Sequence, residues 1–174
     1  KKRWFYSILI IVVLLCISVG YALLNRTLNI TGNSSIVKNT WNIYFDNVKV
    51  KEGSVTANTP VIDTTTKSTV TFNVMLNLPG DFYEFTVDVV NNGTIDAMIE
   101  SITKTPTLTA TQAKYLNYII EYQNGEQITS KQLVKSEEFV RLKVRVEYRK
   151  DLNEEDLPTT AETLNLAFSV NYVQ

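Results

Sequence analysis

The residues best suited to chemistry lie between Asp151 and Asp156, in the run Asp-Leu-Asn-Glu-Glu-Asp. Hard oxygens at alternate positions suit Ca²⁺, and Asp151 and Asn153 match the opening of a calcium-binding loop. Asp151, Asn153, Glu154 and Asp156 are therefore the candidate metal ligands, and calcium is the one cofactor the sequence suggests. Two features of a complete loop are missing. No glycine stands at the sixth position, and Pro158 interrupts the path to Glu162 at the twelfth. The same acids also suit a short helical turn, whose amino end attracts carboxylates.

Other chemistries find less support. The chain contains no histidine. This removes histidine-ligated zinc, Ser-His-Asp and Cys-His hydrolase arrangements, and imidazole proton relays. No glycine-rich phosphate loop occurs, and the remaining carboxylates are mostly spread singly, so spacing places no acid–base pair. The expectation is a protein that is not an enzyme. Leu157-Pro158-Thr159-Thr160-Ala161 resembles a sortase signal, but a patterned strand follows it instead of a hydrophobic tail and basic end. The single cysteine, Cys16, follows Leu14 and Leu15 where a lipidation site needs a small residue. The sequons at Asn25, Asn29, Asn33 and Asn92 carry meaning only in a host that glycosylates exported chains.

The element that must position everything else is the run from Trp4 to Leu24, uncharged throughout and preceded by Lys1, Lys2 and Arg3. A helix of this length matches the roughly 30 Å hydrocarbon layer of a bilayer. The same layout fits a secretory signal, with a basic start, an apolar middle and small residues at a cleavage point. Gly20 and Ala22 take the two small positions, so cleavage is expected between Ala22 and Leu23. Residues 1–22 are read as a signal peptide or an N-terminal membrane helix, and 23–174 as one exported domain. Either way the partners are a membrane and, on cleavage, a signal peptidase. Removing Lys1, Lys2 and Arg3 from 17 basic and 18 acidic residues leaves 14 against 18, a net charge of −4. That balance offers no clustered basic face for nucleic acid.

After the apolar run the pattern is that of strands. Leu24, Leu28 and Ile30 alternate in a first strand starting at the cleavage point, followed by the break Gly32 to Ser35. Trp41, Ile43 and Phe45 alternate next, with Asp46-Asn47 as a turn before Val48 and Val50. A long polar connection follows, with a short strand expected around Val61 and Ile62. Val70 to Leu78 and Tyr83 to Val89 alternate on either side of Pro79-Gly80-Asp81, which predicts an antiparallel pair. Asn91 to Thr94 closes the second of these with residues that tolerate left-handed backbone. Further strands are expected from Ile95, Leu116, Val140 and Leu164, with a helical turn at Thr109–Tyr115 and a hairpin at Asn124-Gly125. The sum is an all-β chain, an antiparallel β-sandwich of jelly-roll or immunoglobulin-like type with about seven to nine strands, preceded by an N-terminal hydrophobic helix.

Two stretches carry a resemblance. SVGYALLNRTLNITGNSSI, a leader running through Tyr-Ala straight into a strand, is similar to the start of TasA/camelysin-family proteins. FTVDVVNNGTIDAMI, from Phe85 to Ile99, resembles that family's second signature of strand, Asn-x-Gly turn and strand. The family consists of exported β-sandwich subunits of biofilm-matrix fibres and cell surfaces, processed by a dedicated signal peptidase. The resemblance implies a secreted or cell-surface homopolymer grown by donor-strand exchange, with Leu24, Leu28 and Ile30 on the donor strand. One departure stands out: Leu23-Leu24-Asn25 replaces the family's aromatic, Ser/Thr and Asp after the cleavage residue. Some members carry a metallopeptidase label, which a chain without histidine does not support. A pilin-like filament subunit and a monomeric membrane-anchored binding or adhesion module are the alternatives.

Overall fold

The computed structural model describes residues 2–24, 32, 34–128, 132–158, 160 and 163–173. They divide into two units, one ending at Val37 and one beginning at Lys38. The first contains the helix α1, Lys2–Leu24, whose large apolar side chains from Trp4 to Tyr21 are exposed. Its 23 residues rise to about 34 Å at ~1.5 Å each. Two hydroxyls inside it are satisfied locally: Ser7 donates to the Arg3 carbonyl and Ser18 to that of Leu15. The helix is therefore long and apolar enough to cross a bilayer or to serve as a signal.

The second unit is a two-sheet sandwich of nine strands: β1 Ile43–Gly53, β2 Val61–Ile62, β3 Thr69–Val74, β4 Phe82–Asn91, β5 Ala97–Thr105, β6 Leu116–Tyr122, β7 Gln132–Val134, β8 Phe139–Tyr148 and β9 Leu164–Val173. One sheet runs β1-β4-β8-β6 and the other β2-β3-β9-β5-β7, with every pairing antiparallel. Period-two alternation makes this architecture. Val70, Phe72 and Val74 of one sheet face Tyr83, Phe85, Val87 and Val89 of the other, all buried. Phe72 meets Phe85 edge-on at 5.0 Å and Phe45 meets Phe168 at 5.4 Å, geometries that aromatic quadrupoles favour.

Three local readings change. The strands on either side of Pro79-Gly80-Asp81 are not a hairpin, because β3 and β4 belong to different sheets. Asp81 Oδ2 accepts the N–H groups of Asn77 and Leu78, both at 2.9 Å, which ends the extended backbone and sends the chain across the sandwich. Gly80 sits at φ 97°, and its N–H is held by the Tyr148 carbonyl at 2.7 Å. Asp46-Asn47 is not a turn either. It is a bulge within β1, with Asn47 at φ 54°. The third change is at the start: Leu23 and Leu24 lie in α1 instead of opening a strand, and every described strand begins at Ile43 or later.

Asn91 to Thr94 closes β4 as expected, without any residue there taking a left-handed backbone. Asn91 is 1% exposed and braces the corner between the sheets. Its Nδ2 donates to the carbonyls of Ile95 and Val134, each at 2.9 Å, and its Oδ1 accepts the Gly93 N–H at 3.0 Å. Gly93 is needed here for space. A Cβ on it would lie 2.5 Å from the Thr40 carbonyl oxygen, a backbone atom. Gly93→Ala is therefore expected to destabilise the sandwich by about 2 kcal/mol, as overpacking does; equal urea midpoints would contradict this. At this same end Ile43 pairs with Asn91 and Val173 with Met98, so the chain enters and leaves the sandwich side by side.

Two expected short elements are present. The helical turn is α2, Gln112–Tyr115, preceded by reciprocal bonds between Thr109 and Gln112. At Asn124-Gly125 the chain turns back with Gly125 at φ 87°, pairing Glu121 with Gln127 in an isolated bridge.

Candidate functional site

The acidic loop does not assemble a calcium cage. Glu154–Asp156 forms a 3-10 turn. Asp156 turns to Lys114, whose Nζ donates to its Oδ1 at 2.9 Å. That bond draws the Asp156 carboxyl below the usual range. Asp151, Asn153 and Glu154 are exposed. Among the described residues no group of three or more His, Cys, Asp or Glu side chains is placed to hold a metal ion. In this structure the loop is an ion-paired surface turn. A 3-10 turn points successive side chains about 120° apart, which disperses oxygens that a metal would need together.

The cleavage residues Gly20, Ala22 and Leu23 all fall within the last turns of α1. Of the donor-strand residues, Leu24 closes α1, while Leu28 and Ile30 lie outside the described residues. The described stretch before β1 carries Ile36 at 98% exposure and Val37 at 73%. The sequons at Asn25, Asn29 and Asn33 lie outside the described residues, and Asn92 is exposed at the corner.

Sequence reasoning missed the polar ladder on the outer face of the β1-β4-β8-β6 sheet. Arg141 on β8 forks onto Asp88 on β4, Nε to Oδ1 at 2.5 Å and Nη2 to Oδ2 at 2.8 Å. Asn47 adds a bond to Oδ2 at 2.6 Å, which explains why the β1 bulge is placed there. Arg145 bridges Glu84 and Glu147 and lies 3.9 Å from the centre of the Phe82 ring. Lys143 pairs with Glu121 at 2.6 Å. Opposite charges at directly paired positions, Asp88↔Arg141 and Glu84↔Arg145, were the available signal, but it becomes visible only once register is known.

The four sheet edges are managed unequally. β2 has two residues and β7 three, too short to template another strand. β1 carries Lys49 and Lys51 and two register shifts, and its Phe45 N–H is held by the Lys67 carbonyl. What the geometry offers is a polar-clad sandwich, and ahead of it in the chain two exposed apolar residues, Ile36 and Val37. No family model, curated protein or solved structure matches this chain.

Proposed function

We propose that this chain is an exported structural protein, a cell-surface or biofilm-matrix fibre subunit. Its copies join by inserting the segment that follows α1 into a neighbouring sandwich. The observation that carries this reading is the exposure of Ile36 and Val37 ahead of a sandwich whose described strands all begin at Ile43 or later. Large apolar side chains left in water each forgo about 1.5–3 kcal/mol, and a second copy supplies the missing burial. The sequence adds Leu28 and Ile30 in alternation just upstream. The role is non-catalytic, in keeping with the absence of histidine from the chain.

Deletion of Leu23 to Ile30, or Leu28→Asp with Ile30→Asp, is expected to abolish fibres seen by electron microscopy. A synthetic peptide of the segment should cap the growing end. Normal polymerisation by the deletion variant would refute donor-strand insertion. A second reading, an anchored monomeric binding module, is favoured by the aromatic residues at both ends of α1, Trp4 and Tyr6 against Tyr21. Such belts mark retained spans. N-terminal analysis of native material separates the two: a mature chain starting at Leu23 supports release, and retained Trp4 supports anchoring.

A further inference from the structure

One lysine sits between the two sheets without an acidic partner. Lys104 lies near the end of β5 and is half-buried. Its Nζ donates to the Tyr118 carbonyl on β6 at 2.5 Å and lies 4.9 Å from the centre of the Tyr118 ring. No described carboxylate pairs with it. Burial pushes its ammonium below the ordinary lysine range. A desolvated cation in contact with one carbonyl and one ring face is costly unless the position itself serves a purpose.

The purpose follows from the register of β6. Arg149 N–H donates to the Tyr115 carbonyl, and Gln123 N–H donates to that of Arg141, so the odd-numbered positions of this strand face β8. Leu116, Tyr118, Ile120 and Tyr122 therefore aim their backbone groups away from the sheet. Most of this edge is met by the chain itself. Gln112 holds the Leu116 N–H through its carbonyl, Glu126 holds the Tyr122 N–H, and the Glu121–Gln127 bridge runs beside Ile120. No described backbone group bonds to Tyr118 across this edge, and none meets the Ile120 N–H.

We propose that Lys104 is an edge guard. Its ammonium occupies the Tyr118 carbonyl, the acceptor in the open part of the β6 edge, and bars a second copy of the chain from adding a strand along this flank. An incoming ladder needs its own N–H at that carbonyl and must first displace a lysine that then lacks an acceptor. Inward-pointing charge is one of the ways sandwiches blunt an edge. The guard confines strand addition to other parts of the molecule, which goes beyond the assembly reading above and does not depend on it.

The test uses the full chain in detergent micelles. Lys104→Met keeps the apolar stem and removes the charge. It is expected to self-associate about tenfold more tightly by sedimentation equilibrium, with new hydrogen-exchange protection across Leu116–Tyr122. Lys104→Arg should behave as the unaltered chain. A folded Met variant with unchanged association and exchange overturns the guard. If the Met variant does not fold, the unaltered chain decides: nitrogen-resolved spectra should show the Lys104 ammonium protons slowed by their bond to Tyr118, and bulk-like exchange overturns the proposal. Neither result bears on fibre growth through the segment before β1, which its own deletion tests.

Discussion

Replacing Asn91 with leucine is expected to lower the unfolding free energy of the sandwich by about 4 kcal/mol. Leucine keeps the same number and branching of side-chain heavy atoms, so the loss comes chiefly from hydrogen bonding. The carbonyls of Ile95 and Val134 and the N–H of Gly93 lose their partner inside a corner only 1% exposed at residue 91. Each buried orphan costs about 1–3 kcal/mol, and partial relaxation keeps the sum below the maximum. A melting point about 10 °C lower should accompany it. Asn91→Asp is the sharper comparison. It keeps an acceptor for Gly93 but points a carboxylate at two carbonyl oxygens, so it should be at least as damaging at neutral pH. A mild effect of both substitutions in urea melts would mean that the corner is held by something other than this side chain.

Arg141→Met is the second large effect at neutral pH, because it leaves Asp88, whose side chain is only 6% exposed, without its principal counter-charge. The 27% of the Arg141 side chain that faces water tempers the loss. The pH dependence is diagnostic. Burial pushes the Asp88 carboxyl up, but the hydrogen bonds from Arg141 and Asn47 and the charges of Arg141 and Lys49 together hold it below the usual range. A depressed carboxylate contributes stability that is present above its unfolded value, near 3.9, and lost as pH falls through the folded one. In the methionine variant burial remains while the principal counter-charge is gone, so the carboxyl moves upward. Once the folded form binds a proton more readily than the unfolded form, acid becomes favourable. The deficit against the unaltered chain should therefore shrink between about pH 6 and pH 4. Asp88→Asn added to Arg141→Met should recover part of the loss at pH 7. An identical deficit at both pH values would show that Asp88 is never desolvated enough to matter.

The strands were legible because their alternation is nearly faultless: Val70-Phe72-Val74, Tyr83 to Val89 and Leu142-Val144-Val146 each place one apolar face inward. Their partners were not. Alternation records which face is buried, and two strands stacked face to face across a core have the same pattern as two lying side by side. That is why β3 and β4 read as a hairpin. The short elements were legible through turn chemistry, Asn124-Gly125 most directly, and Thr109-x-x-Gln112 carries a capping signature that marks α2. Asn91 was read as a loop residue because asparagine is common in turns; nothing local distinguishes an exposed asparagine from one whose amide meets a carbonyl on residue 134. The pairing within the acidic loop is hidden for a related reason. Oxygen spacing can suggest a metal, but the claim of Lys114 on Asp156, across 42 positions, is invisible until the chain is folded.

The side-by-side entry and exit of the sandwich decides how it responds to force. A pull applied between residues 42 and 173 begins at the ladder ends Ile43↔Asn91 and Val173↔Met98. The bonds along β1 and β9 then carry the load in succession, like a zipper, instead of sharing it in shear along the strands. Unfolding under such a pull follows the rate of opening and not the equilibrium stability, so a firm core gives little protection. A sandwich held only by the chain ahead of Ile43 carries no internal tension at all. In flowing liquid it trails from its attachment as a pendant weight. Mechanical strength at such an attachment therefore resides in whatever grips the segment before β1, and in a fibre joined by strand insertion that is the neighbouring sandwich.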